Sequence, residues 1–338
     1  MLIYDMVNPQ ELLGFVRTLA FPQFTLDQIL PNRPLDDLEY RFLRADLVDQ
    51  DMAPYRAWDT EAPVGKRQGL SRVRGELPPL SKKIRLGEEE RLRLRAVESG
   101  DQAPLIRQIY DDAAAMTRAV QARIEKARGE VLSLGTVTIN ENGMTASVDY
   151  GIPAAHKVAP GTLWSVTATA TPVADMRGWL ETYVSTNGVA PGSILTSTRV
   201  ISQLLRNSEI RTLAGSLSGT PALVTPETVS AVFSAFGLPP IQTYDTQVRV
   251  DGVATRVISD DRVIFLPPAG EPLGNTFYGI TAEALELREA GQIVSTQMPG
   301  VTAVIDKTFD PVATWTKASA IALPVLANPS LILTADVL

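Results

Sequence analysis

The chain has no cysteine among its 338 residues. That excludes disulfides, thiolate metal sites and cysteine nucleophiles. It has one histidine, His156. A multi-histidine metal site is therefore excluded, and a Ser-His-Asp arrangement has a single candidate base. His156 stands in GIPAAHKVAPG, rich in Pro, Gly and Ala, and reads as a loop or linker residue. No run of 18 apolar residues occurs, so no transmembrane helix is expected. The first residues, MLIYDMVNPQ, lack the basic region and apolar stretch of a secretory signal, so no passage through a membrane is expected. There is no Asp/Asn-rich calcium loop and no Gly-rich phosphate loop ending in Gly-Lys-Ser/Thr. Metal sites made of carboxylates alone are what composition leaves open. Aromatic residues make up 6%, and Trp58, Trp164, Trp179 and Trp315 are scattered, with no stacking platform for bases.

What the chain does have is a core and an uneven charge. Apolar residues make up 45%, enough for one large core or two domains. The formal net charge is −7, and arginine outnumbers lysine 24 to 7. Arginine adds planar, bidentate pairing with carboxylates, though a GC-rich genome gives the same bias. The stretch RVRGELPPLSKKIRLGEEERLRLR, residues 72–95, holds eight Lys and Arg in 24 positions. From Arg56 to Arg95 there are 11 basic and 6 acidic residues, a net of +5, which leaves −12 on the remainder. A nucleic-acid-binding domain is usually basic as a whole, and this acidic remainder repels phosphate. An acidic protein surface is the simpler partner, and another copy of the same chain offers one.

Periodicity divides the chain. Residues 1–50 are broken by Pro22, Pro31 and Pro34 and read as an irregular, extended arm. Ile84 and Leu86 alternate with Lys83 and Arg85, and Leu92 and Leu94 with Arg91, Arg93 and Arg95. Period two predicts strands with one charged face, so residues 51–98 read as an exposed two-stranded excursion with APVGKRQG (62–69) at its tip. An ordinary surface hairpin is the plainer alternative, and EEERLRLR could also open a helix. Pro78-Pro79 excludes a central strand there. Residues 101–132 predict a helix. Leu105, Ile109, Ala113, Met116, Val120, Ile124, Ala127 and Val131 recur at spacings of three and four, one apolar stripe about 45 Å long. Asn142-Gly143 and Asp251-Gly252 predict hairpin turns. Helices are expected over 174–188, in the later part of 193–207, and over 225–240, the last opened by Thr225-Pro226 and closed by Gly237. The remainder, residues 271–338, returns to strands, and the whole is α+β.

The carboxylate pairs Asp111-Asp112 and Asp260-Asp261 read as solvated helix and turn residues rather than as acid–base pairs. No catalytic, cofactor-binding or metal-ligating set emerges, and no enzyme activity is expected.

The order of parts resembles the major capsid proteins of tailed phages. Two stretches, RAWDTEAPVGKR continuing into RGELPPLSKKIRLGE, and DPVATWTKASAIALPVLANPSLILTADVL, resemble the lambda-type major capsid protein E family. The resemblance covers nearly the whole chain. It implies an α+β fold of the Hong Kong 97 type. Residues 1–50 would be the N-terminal arm and 51–97 the extended loop over a neighbouring subunit. Residues 98–165 and 273–318 would form a peripheral domain with a spine helix at 101–132, and 166–272 with 319–338 an axial domain. It also implies pentamers and hexamers in an icosahedral virion head around double-stranded DNA. The DNA is enclosed without sequence-specific binding, and assembly takes place in the host cytoplasm. A decoration protein, a scaffold and a portal are its implied partners, with no membrane and no cofactor. In that setting the assembly residues are the basic ones of the loop: Arg56, Lys66, Arg67, Arg72, Arg74, Lys82, Lys83, Arg85, Arg91, Arg93 and Arg95. A nanocompartment (encapsulin-like) shell is the first rival, since it uses the same fold, and a soluble α+β enzyme the second.

Overall fold

The computed structural model describes residues 7–45, 55–56, 58, 61, 70–97, 103–218, 224–271, 273–294 and 298–338. Among the described residues the first element is a helix, not irregular structure. In α1 (Pro9–Thr18) the Asn8 side chain accepts the Gln10 N–H at 2.9 Å and Pro9 takes the first turn. Leu12, Leu13 and Val16 are its buried face. Strands β1 (Asn32–Pro34) and β2 (Glu39–Ala45) follow. So residues 7–45 are not the irregular stretch that their prolines implied. Pro22 and Pro31 lie between elements, and Pro34 is the last residue of β1.

Next come β3 (Leu70–Glu76), β4 (Pro79–Leu86) and α2 (Glu88–Val97). The strand expected from Leu92 and Leu94 is thus a helix. Three glutamates occupy its first turn, Glu90 accepts the Gly87 N–H at 3.1 Å, and Glu89 pairs with Arg93 one turn on at 2.5 Å. Acidic groups at a helix N-terminus and an i,i+4 ion pair outweigh a short period-two pattern. The two-stranded ribbon is also differently made. β3 pairs with β2, while β4 joins a larger sheet. The tip expected at 62–69 lies outside the described residues.

The long helix is α3 (Ala103–Leu134), 32 residues. The hairpin β5 (Thr136–Glu141) and β6 (Met144–Asp149) turns at Asn142 and Gly143, both at positive φ, as a two-residue turn of this type requires. Then follow β7 (Lys157–Val158), α4 (Pro172–Asn187), β8 (Ser193–Thr196), α5 (Thr198–Arg206), α6 (Ser208–Ser218) and α7 (Pro226–Ala235). Helix α7 opens with a reciprocal Thr225–Thr228 cap and Pro226. Strands β9 (Ile241–Thr243), β10 (Gln247–Val250), β11 (Val253–Arg256), β12 (Arg262–Leu266) and β13 (Gly274–Tyr278) precede α8 (Ala282–Glu289). The chain closes with β14 (Thr302–Phe309), the 15-residue β15 (Val312–Leu326) and β16 (Leu333–Asp336).

These elements make two compact units. The first comprises Met1–Tyr40, Arg74–Arg128 and Asn275–Val325. Its sheet runs β1-β13-β15-β14, with β4 also paired to β15. The apolar stripe of α3 (Ile109, Ala113, Met116, Val120, Ile124) packs with α1 against Ala303 and Ile305 of β14 and Ala318, Ala320 and Ala322 of β15. Small residues on the sheet let a long helix lie close to it. The second unit comprises Arg41–Val73, Gly129–Gly274 and Leu326–Leu338. Its sheet runs β7-β16-β12-β8-β9. Trp164, Met176, Trp179, Tyr183, Phe233 and Phe265 anchor its core. The tryptophans are not scattered there, since Trp164 and Trp179 stack at 5.8 Å.

Candidate assembly surface

The first unit is held by a buried polar clasp that periodicity does not reveal. Glu125 and Arg128, on α3, are 0% and 3% exposed at their side chains and pair at 2.9 Å. Arg128 also donates to Thr276 Oγ1 of β13 at 3.0 Å and to Asn32 Oδ1 of β1 at 2.5 Å. Glu125 accepts the Leu26 N–H at 3.0 Å, and Thr276 Oγ1 donates to the Leu30 carbonyl at 2.9 Å. Burying two charges is expensive unless each remaining donor and acceptor is met. Here Leu26 and Asn32 meet them together with Thr276 of β13, and the clasp fixes the segment 26–32 to α3. A glutamate and an arginine three apart, beside the apolar stripe at Ile124 and Ala127, were the available sequence signal.

The strand β4 has a surface within the chain. It pairs antiparallel with β15, from Leu86 opposite Thr314 to Pro79 opposite Ile321. Over 314–319 the other edge of β15 carries β14, so β4 lies on the opposite edge. The outer edge of β4 has no strand partner among the described residues. Lys82, Lys83, Ile84 and Arg85 are exposed along it. Lys83 and Arg85 share a face with Trp315, and their cations sit 4.5 and 6.0 Å from its ring. On the same face Lys317 pairs with Glu283 of α8. Exposed cation–aromatic contacts of this kind contribute about 0.5–1 kcal/mol each. Lysine along an open edge also discourages indiscriminate strand pairing.

Among the described residues the predicted basic residues are spread over β3, β4 and α2, with Arg56 outside them. Arg74 is exposed on β3, and Arg72 lies on the same strand. Lys82, Lys83 and Arg85 are on β4, while Arg91, Arg93 and Arg95 are on α2. Arg91 is half-buried, and Arg93 is exposed and paired with Glu89. Arg56 is exposed, and Lys66 and Arg67 lie outside the described residues.

The groups that could have carried chemistry have structural surroundings. His156 is fully buried, not a loop residue in solvent. Its Nδ1 donates to the Ile332 carbonyl at 2.9 Å, and its ring stacks on Tyr183. Burial pushes its pKa below the usual histidine value. Asp112 is buried as well, contrary to a solvated role. Gln108 donates to it at 2.9 Å, and burial raises its pKa. Asp260 and Asp261 lie in a turn, as expected, paired with Arg199, Arg256 and Arg262. Among the described residues no cluster of three His, Cys, Asp or Glu could hold a metal ion. No helix among them is long and apolar enough to cross a membrane.

The family described as phage major capsid protein E matches residues 10–337. The chain belongs to that family. It is a phage major capsid protein, a structural component of the virion shell. No curated protein matches it. A crystallised protein described as the capsid protein of a prophage of E. coli CFT073 superposes with a TM-score of 0.63 at 16% identity, over 98% of this chain and 99% of the other. A phage-related protein of Bordetella bronchiseptica RB50 gives 0.60 at 12% identity, over 98% and 97%. A chain of the satellite phage P4 procapsid gives 0.50 at 10%, over 97% and 90%. At these identities the likeness is one of fold, the α+β fold of the Hong Kong 97 type.

Proposed function

We propose that copies of this capsid protein assemble as pentamers and hexamers into the icosahedral head of a tailed phage, around double-stranded DNA. Family membership over residues 10–337 is the observation that carries this reading. The charge split supports it, with +5 on residues 56–95 and −12 elsewhere. The basic residues of β3 and β4, set against the acidic body of the next copy, gain register and complementarity. Exposed ion pairs contribute about 0–1 kcal/mol each, and repetition around a closed ring makes many of them cooperative. An acidic wall also keeps packaged DNA from adhering.

In this reading the first unit is the peripheral domain, α3 its spine, and the second unit the axial domain. The extended loop is best drawn as β2, β3 and the residues between them, not as 51–97. The reason is that β4 pairs with β15 inside the first unit. The N-terminal arm is shorter than 1–50, because α1 and β1 carry core and sheet contacts. A portal, a scaffold and a decoration protein are the expected partners, with assembly in the host cytoplasm. Reinforcement is non-covalent.

Negative-stain microscopy and size-exclusion chromatography of the expressed chain test this. Closed particles around nucleic acid are expected when it is co-produced with its scaffold and portal. A strict monomer under those conditions overturns the reading, and a shell around protein cargo turns it into a nanocompartment. On a denaturing gel boiled particles should give one band near 36.6 kDa, and a ladder would overturn the non-covalent part.

A further inference from the structure

Asparagine is followed by glycine twice in the chain, at 142–143 and at 187–188. This dipeptide modifies itself when its atoms are free to meet. Base takes the proton from the glycine backbone nitrogen, and that nitrogen attacks the side-chain Cγ of the asparagine. A C–N bond forms, ammonia leaves, and a cyclic succinimide remains. Water then opens the ring at either carbonyl, giving aspartate or isoaspartate. Glycine favours the attack because it carries no Cβ beside the nitrogen.

The fold makes the two sites unlike. Asn142 and Gly143 are exposed at the turn between β5 and β6. Among the described residues no hydrogen bond holds the Asn142 side chain or the Gly143 N–H. A Cβ at Gly143 would meet nothing within 4 Å, so the space around that residue is open. Asn187 is the reverse. It is the last residue of α4 and is 4% exposed. Its Nδ2 donates to the Tyr183 carbonyl at 3.1 Å and to the Ser330 carbonyl at 2.9 Å. The Gly188 N–H donates to the Val184 carbonyl at 2.8 Å, so the attacking nitrogen and the leaving amide are both held. Reaction there first requires the helix end to open locally.

We propose that Asn142 is a site of spontaneous deamidation, and that Asn187, in the same dipeptide, is not. The chain also shows which product the turn accepts. Asp251-Gly252 makes the β10–β11 turn with the same backbone angles: φ is 49° and 82° there, as at Asn142 and Gly143. Aspartate at 142 therefore keeps the turn and adds a negative charge at an exposed tip. Isoaspartate instead routes the backbone through the former side chain and lengthens it by a methylene. A two-residue turn does not absorb that extra atom and keep Glu141 opposite Met144. The isoaspartyl product opens the hairpin from its tip.

Peptide mass mapping of the folded chain, aged in mildly alkaline buffer, reads both sites at once. The peptide with Asn142 should convert more than about tenfold faster than the peptide with Asn187, which waits for local opening. In denaturant the two rates should converge. Asn142→Gln should abolish the conversion, because the longer side chain closes a larger and slower ring. Asn142→Asp should keep the thermal transition and the hydrogen-exchange protection of β5 and β6. The aged fraction that carries isoaspartate should lose that protection. Equal rates at the two sites in folded protein overturn the assignment. So does an Asn142 that stays intact in folded protein under conditions that convert it in denaturant. An Asn142→Asp variant with an unprotected hairpin overturns the account of the products.

Discussion

Replacing Arg128 with methionine removes one charge from the clasp and leaves the other. Methionine fills much of the space of the arginine stem, so little cavity is made. Glu125 would remain fully buried, still accepting the Leu26 N–H at 3.0 Å but without its cation. Asn32 and Thr276 would each lose a donor. Breaking a buried pair in this way costs about 3–5 kcal/mol. The loss should be local first, since the clasp holds residues 26–32 to α3. Native-state hydrogen exchange on unassembled protein reads it directly. The Leu26 amide should exchange on the order of 10²–10³ times faster in Arg128→Met, the factor that ~3–4 kcal/mol converts to. The double variant Glu125→Leu/Arg128→Met should recover most of the protection, because apolar pairs of similar volume often replace buried ion pairs without loss. Exchange within about threefold of wild type in Arg128→Met would refute the clasp as the tie between α3 and the N-terminal segment.

Gly129→Ala in α3 should destabilise the second unit by about 1–3 kcal/mol, although alanine is the better helix former by about 1. A Cβ there would stand 2.4 Å from the Val257 carbonyl oxygen. An unchanged thermal transition would sink that account. His156 should make stability fall in acid. Its folded pKa is lowered from 6.5, so below that value the unfolded chain binds the proton more readily, and stability drops by up to about 1.4 kcal/mol per pH unit. Urea unfolding between pH 7.5 and 5.5 should show this slope reduced in His156→Gln, and an equal slope in both would dismiss the histidine as its source. Reversing Arg72, Arg74, Arg93 and Arg95 to Glu should leave the circular dichroism spectrum unchanged and abolish particles in size-exclusion chromatography. Normal particles would show that these cations do not clamp neighbouring copies.

Local signals were legible wherever one element is decided by its own residues. The stripe from Leu105 to Val131 predicted α3 to within two residues at each end. Asn142-Gly143 and Asp251-Gly252 predicted both hairpins, because only residues tolerant of positive φ fit such turns. Thr225-Pro226 predicted the start of α7. The basic segment was legible as charge but not as shape. Its alternation fitted a strand, yet the capping glutamates of 88–90 made the second half a helix. The true partner of β3 was β2, hidden in a segment that prolines made look irregular.

Composition and order alone determined the fold class, the long helix, the absence of cysteine chemistry and the split between a basic segment and an acidic body. Those properties depend on near neighbours or on sums over residues. Tertiary structure alone decided what meets across long stretches of chain. It set β4 against β15, Arg128 against Asn32 and Thr276, and His156 against Ile332, at separations from 96 to more than 200 residues. It also decided which charges are buried and which aromatics are left in water. A pattern along the chain records which face of an element is apolar. It does not record which distant face will cover it, because that depends on the summed packing of both units.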